Sequence, residues 1–208
     1  MSDLQRNDDW FAARLGKATG SRIADVMANG KGSAPSVTRA NYLAQIVCGR
    51  LTGNAAENYT NAAMQHGIDT EAEAKTAYEF QANVMVQDVG FVEHPTVAMS
   101  GASPDGLVGD MGMVEIKCPN SATHLATLRG ASIDGKYIKQ MQWQMACTGR
   151  AWCDFASYDP RFPFDLQLHV RRVHRDNALI AEIEAAVRLF LSDVDAAITE
   201  ITPIQEAA

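Results

Sequence analysis

The sequence predicts an α/β (α+β) fold with a central mixed β-sheet flanked by helices, and three observations carry that expectation. Helical signals fill the first part of the chain, short Val- and Phe-rich runs between turn residues fill the middle, and a long amphipathic stretch closes it. The 208 residues suffice for one substantial core, so a single domain over 1–208 is expected.

Each element follows in order. Helices are expected around Trp10–Leu15, over Ser21–Met27 with Ser21 as N-cap, over Arg39–Leu51 and over Asn61–Phe80. Asn29-Gly-Lys-Gly-Ser-Ala-Pro-Ser36 reads as a basic loop. From Val84 the pattern becomes strand-like, and Gly109-Asp-Met-Gly112 makes a hairpin between Leu107-Val108 and Met113–Cys118. Helices follow around Ser121–Arg129 and over Tyr137–Thr148, the second closed by Gly149. Strands return at Ala151–Tyr158 and Leu166–Val173, with Asp159-Pro160 as the turn after the first. The last helix runs from Asp176 to about Ile201, apolar at Ile180, Ile183, Val187, Leu191, Val194 and Ile198.

Composition narrows the class. With 47% apolar and 21% charged residues the chain reads as soluble and globular. The first residues are polar and no run approaches the roughly 20 apolar residues of a membrane helix, which points to a cytosolic protein without a membrane partner. Cys48, Cys118, Cys147 and Cys153 form no CxxC pair, so buried free thiols are expected rather than a zinc site. The five histidines lack metal-ligand spacing, and Trp10, Trp143 and Trp152 read as core or interface aromatics. A net charge of −7 weighs against a polyanionic partner, yet residues 1–50 carry seven Lys/Arg against four Asp, a net of +3, leaving −10 for the remainder. Gly16-Lys-Ala-Thr-Gly-Ser21 lacks the Walker order, which places Lys after the second Gly, so it does not support an NTPase.

The chemistry-bearing feature is Met113-Val-Glu-Ile-Lys-Cys118. Strand alternation puts Val114, Ile116 and Cys118 on one face and Glu115 with Lys117 on the other. A solvated edge strand would produce the same pattern. One hairpin earlier, Ser103-Pro-Asp-Gly106 supplies Asp105, which lies opposite Glu115 only if the connecting turn has an odd number of residues or a bulge; a four-residue loop over 109–112 would set it against Ile116. Converging carboxylates without His or Cys suit a hard ion such as Mg²⁺. A neighbouring lysine can orient the attacking water or stabilise charge on a phosphoryl transition state.

The P-D-x9-E-x-K spacing resembles the PD-(D/E)xK nuclease superfamily, with its restriction-endonuclease-like core. A longer series sharpens the likeness: Asp9-Trp10-x3-Arg14-Leu-Gly16, Gly20-Ser21, Gly67-x3-Glu71, Ser103-Pro-Asp-Gly-Leu107, Glu115-Ile-Lys-Cys-Pro119, Tyr137-x2-Gln140-x-Gln142-x2-Met145 and Tyr158-Asp-Pro-Arg161 appear in order. Together they look like the phage λ exonuclease family of YqaJ-like viral recombinase nucleases. The resemblance implies that Asp105, Glu115 and the Ile116 backbone carbonyl hold Mg²⁺, in two ions for which Mn²⁺ can substitute, with Glu71 completing the acidic site and Lys117 assisting the attacking water. The residue-level alternative for Glu71 is an i,i+4 pair with Lys75. It further implies a 5′-phosphate pocket of Arg14, Ser21, Ser103 and Gln140, and contacts to DNA from Met64, Lys31 and Gln142. The implied activity is processive 5′-to-3′ digestion of linear double-stranded DNA by a ring-shaped homotrimer. It would leave 3′ single-stranded overhangs for a single-strand annealing recombinase in phage or prophage recombination inside a bacterial host cell. Two readings stay open beside it: an endonuclease of the same superfamily, restriction-type or junction-resolving, and a non-catalytic DNA-binding protein of the same fold.

Overall fold

In the computed structural model, which describes residues 4–30, 36–54 and 62–202, the chain opens with helix α1 (Asp8–Arg14). Asn7 caps it by accepting the Trp10 N–H at 2.8 Å. Strand β1 (Ala18–Thr19), a 3-10 turn over Gly20–Arg22 and helix α2 (Ile23–Val26) follow. Ser21 is therefore not the expected N-cap: it lies inside the 3-10 turn, and no side chain caps α2. Helix α3 (Val37–Thr52) starts at Ser36, whose hydroxyl accepts the Arg39 N–H, and stops at left-handed Gly53. Helix α4 (Ala62–Ala82) contains Met64, whose side chain lies outside the described residues, as does Lys31.

Among the described residues, a 3-10 turn over Phe164–Leu166 aside, seven strands and three helices follow. They are β2 (Val86–Gln87), β3 (Val92–Glu93), β4 (Ser100–Ala102), β5 (Gly106–Val108), β6 (Gly112–Lys117), α5 (Ser121–Leu128), α6 (Gly135–Thr148), β7 (Trp152–Tyr158), β8 (Leu168–His174) and α7 (Asn177–Ile201). Five strands form a mixed sheet in the order β2-β5-β6-β7-β8, with β6 and β7 parallel and the other pairs antiparallel. The mixed sheet expected from the sequence is thus present. A second, three-stranded sheet, β1-β4-β3, is too short per strand to leave a periodic signal.

Alternation along β6 decides what packs on each side. Val114 and Ile116 join Ala74 and Tyr78 of α4 in one apolar cluster. Met113, on the opposite face, packs with Met141 and Met145 of α6 and with Phe155. The sheet is therefore sandwiched between α4 and α6, and β6 is its central strand. Gly106 is needed here because an added Cβ would lie 2.0 Å from Val86 Cγ1.

The C-terminal helix is amphipathic as expected, burying Ile180, Ile183, Val187, Phe190, Leu191 and Val194 in the main core beside Tyr42 and Ile46 of α3. Its acidic outer side is not turned away from the basic N-terminal segment. Asp193 pairs with Arg39 at 2.6 Å and Asp195 with Arg50 at 2.5 Å, so α7 neutralises two of the cations that the sequence concentrates there. The cysteines form no disulfide, but only Cys147 and Cys153 are buried, and Cys48 is exposed rather than buried as expected. Among the described residues no helix is long and apolar enough to cross a membrane.

Candidate active site

The hairpin that carries Asp105 turns through three residues, Gly109, Asp110 and Met111, with Gly109 left-handed. Its pairs Gly106↔Val114, Leu107↔Met113 and Val108↔Gly112 set the register that points Asp105, just before β5, toward Glu115, whose charge it feels. The odd turn that the sequence required is the one formed. Asp105 Oδ2 accepts the Ile116 N–H at 2.6 Å, which ties its carboxylate to the C-terminal end of β6. Glu115 is 0% exposed, so the solvated-edge reading does not hold: this face is core, with one acid embedded in it.

A buried carboxylate needs compensation, and Glu115 has it on both oxygens. Gln140 Nε2 donates to Oε1 at 2.6 Å and Gln144 Nε2 to Oε2 at 2.7 Å, both from α6. The Lys117 ammonium also pairs with Oε1. Burial alone would lower the pKa of Lys117, but Glu115 and Asp105 overcome it and hold the ammonium above its ordinary value. Desolvation, then the charge of Glu115, push the Asp105 carboxyl well above the usual carboxylate range, against the lowering effect of Lys117.

Asp105 and Ile116 open onto a cavity of about 160 Å³, lined also by Gln5, Arg6, Glu71, Ala72, Lys75 and Asp88. Glu71 does not make the i,i+4 pair with Lys75. It pairs with Arg6 at 2.6 Å, while Lys75 pairs with Asp88. Arg6 reaches this place because Gln5 is anchored to the carbonyls of Val89 and Pro104, at 2.7 and 2.8 Å. Sequence reasoning missed Arg6, since its partner lies 65 positions away. Among the described residues no three acidic, imidazole or thiol groups are already drawn together as a metal cluster. The donor set nevertheless fits a hard divalent cation: Asp105, Glu115 and Glu71 are all oxygen donors, and the first is raised by the charge of the other two. Arg6 on Glu71 and Lys117 on Glu115 supply the positive charge that balances them.

A second cavity, about 400 Å³, is lined by Trp10, Arg14, Lys17, Thr19, Ser21, Arg22, Tyr42, Gln45 and neighbouring residues of α1 and α3. Among the described residues no acidic side chain lines it. Arg14 Nη1 donates to Ser103 Oγ at 3.0 Å, Trp10 Nε1 donates to the same oxygen at 2.9 Å, and the guanidinium lies 4.1 Å from the Trp10 ring centre. Burial pulls the Arg14 pKa down to about 10, partly offset by Tyr42, which still leaves it charged near neutrality. Among the described residues it has no carboxylate partner. Ser103 accepts twice and so keeps its own O–H to donate.

Arg14, Ser21 and Ser103 are thus gathered in or beside one cavity. Gln140 does not line that cavity, and its amide nitrogen serves Glu115. Gln142 is no DNA contact either, being 2% exposed, with its amide nitrogen on the His174 carbonyl and its oxygen on the Asp176 N–H, each at 2.8 Å. Gln144 was not singled out from the sequence as a site residue, although its i,i+4 spacing from Gln140 puts both on one helix face.

Residues 9–151 match the YqaJ-like viral recombinase domain family. Among solved structures, the alkaline exonuclease LHK-Exo from Laribacter hongkongensis is 51% identical, with a TM-score of 0.87 over 94% of this chain and 96% of that one. LHK-Exo in complex with dAMP gives the same identity, coverage and score. A phage-related exonuclease from Haemophilus somnus is 17% identical over 89% of this chain and 96% of that one, with a TM-score of 0.69, and shares the fold. No curated protein matches. The family match spans more than half of the chain, and it covers the hairpin with Asp105 and Glu115, the Arg14 cavity and α6: the chain belongs to the YqaJ-like viral recombinase family.

Proposed function

We propose that this protein is a Mg²⁺-dependent exonuclease that digests one strand of linear double-stranded DNA from its 5′ end, leaving 3′ overhangs for strand-annealing recombination. The observation that carries the reading is the placing of Asp105 and Lys117 beside buried Glu115, together with a cavity lined by Arg14, which has no carboxylate partner among the described residues. Likeness at 51% identity to an alkaline exonuclease supports it.

Asp105, Glu115, the Ile116 carbonyl and Glu71, once released from Arg6, would hold the metal, as two Mg²⁺ ions or Mn²⁺ in their place. Bound there, the cation supplies Lewis acidity toward the phosphodiester. Lys117, held as an ammonium, orients the attacking water and stabilises negative charge on the phosphoryl oxygens. Arg14, Ser21 and Ser103 take the 5′-terminal phosphate, by one guanidinium and two hydroxyls. That grip positions the next phosphodiester over the carboxylates and makes an end, rather than an internal site, the preferred substrate. A ring of three copies threaded on DNA would make digestion processive.

Digestion of a linear duplex labelled at either end, with Mg²⁺ and with chelator, tests the reading. Release of mononucleotides from the 5′ end only, abolished by chelator, is the expected result. Cutting of covalently closed circles would instead identify an endonuclease.

The raised Asp105 pKa sets a pH dependence. Cation binding needs the ionised carboxylate, so a proton leaves Asp105 as the metal enters, and affinity rises with pH until the raised value is passed. In the metal-free protein the sign is opposite. The folded pKa exceeds the unfolded one, so the stability present with Asp105 protonated is lost as pH rises from the ordinary carboxylate value through the raised one. The gain in Tm on adding Mg²⁺ is therefore expected to be larger at the upper of two pH values above the ordinary carboxylate range than at the lower. Asp105→Asn should flatten the difference; an equal gain at both pH values in the unaltered protein would contradict this account.

A further inference from the structure

We infer that Gln144 is a positioning residue for Glu115, and that with Gln140 it locks the carboxylate in the orientation required to receive the metal. The inference rests on the metal-nuclease reading above and deepens it.

Glu115 is 0% exposed at the centre of the sheet, with no water-facing side to relax toward, so its protein donors alone set its orientation. Gln140 and Gln144 stand one turn apart on α6 and give one N–H to each oxygen, Nε2 to Oε1 at 2.6 Å and Nε2 to Oε2 at 2.7 Å. Two donors, one per oxygen, fix the carboxylate plane as well as its place, which a single donor would not do. Oε1 also pairs with Lys117, so Oε2 is the oxygen that keeps a further acceptor direction after its amide bond is made.

The Gln144 side chain is itself costly to keep. The residue is 1% exposed, and its Oε1 is buried without a hydrogen-bond partner among the described residues. A buried amide with an unsatisfied oxygen is a poor core residue, and a methionine of similar length would fill this space without that penalty. Its N–H to Glu115 is the one bond its side-chain amide makes among the described residues. Gln140, by contrast, is half-buried. Gln144 therefore acts through Glu115 from a buried position and needs no contact with DNA.

The test is Gln144→Met, which keeps the length and removes the donor, with Gln144→Leu as a second variant of different shape should the first not fold. Thermal unfolding without metal, Mn²⁺ binding to the free enzyme by electron paramagnetic resonance, and kcat and KM on an end-labelled duplex are measured for each. The expected result is a lowered Tm without metal, because the change leaves Glu115 Oε2 without its amide donor. Mn²⁺ binding should weaken about tenfold and kcat should fall about tenfold, with KM for DNA unchanged. A lowered Tm with unaltered Mn²⁺ affinity would make Gln144 a packing residue and overturn the inference. So would Mn²⁺ affinity and kcat both within twofold of the unaltered protein. These outcomes leave the nuclease reading intact, because they are read against an unaltered protein that binds Mn²⁺ and digests DNA. Failure of the unaltered protein to do either would remove both.

Discussion

Lys117→Ala is expected to lower kcat for duplex digestion by about 10²–10³-fold while leaving DNA binding within a few fold of the unaltered protein. The side chain is half-buried beside Glu115, and its ammonium is the positive group closest to the converging carboxylates. Removing it takes away the charge that orients water and meets the developing phosphoryl charge. It does not touch the Arg14 cavity, where the 5′ end would be held. The variant also leaves Glu115 with its two amide donors, so the carboxylate remains hydrogen-bonded and the fold is expected to persist. Digestion of an end-labelled duplex and a gel-shift measurement in Ca²⁺ separate the two effects. Digestion at more than one tenth of the original rate would remove Lys117 from the mechanism.

The second large effect concerns the end itself. A 5′-phosphorylated duplex is expected to be digested faster than a 5′-hydroxyl one by about 10- to 100-fold, the equivalent of roughly 1.5–3 kcal/mol for charge-assisted hydrogen bonds to a phosphate. Arg14→Ala should collapse that ratio toward one by slowing the phosphorylated substrate alone. The reason is electrostatic: among the described residues no acidic group lines the cavity and partly desolvated Arg14 has no carboxylate partner, so a phosphate there meets a charge not already spent. Single-turnover rates on the two substrates decide the matter. Equal rates for both ends in the unaltered protein would refute the pocket, whatever the variant does.

Gln140 shows how a motif residue can be placed on its helix while the partner of its amide stays hidden. Its spacing gives the face of α6 on which it lies, but not which strand residue that face covers. The sheet puts Glu115 there, so the amide satisfies a buried acid. Glu71 is a different case. A helix-only view pairs it with Lys75, yet Asp88 takes Lys75 and Arg6 takes Glu71, both from outside the helix. Local spacing had no access to either partner. The expected cap at Ser21 failed for a related reason: a 3-10 turn joins β1 to α2, and that leaves its exposed side chain lining the cavity with Arg14.

By itself the sequence determined the elements with strong periodicity, above all α6, β7 and α7, and it determined that Glu115 and Lys117 share one side of β6. These depend only on periods of 3.6 and 2, which the chain carries wherever it folds. It stated, without resolving, the condition for Asp105 to face Glu115. Only the tertiary structure settled that register, through a three-residue turn with left-handed Gly109. Only tertiary packing made the Glu115 face an interior one, supplied Gln140 and Gln144 as its donors and brought Arg6 onto Glu71. Periodicity states which way a side chain points. What it meets there is decided by segments far away in the chain, and the chemistry of a buried carboxylate is the chemistry of what it meets.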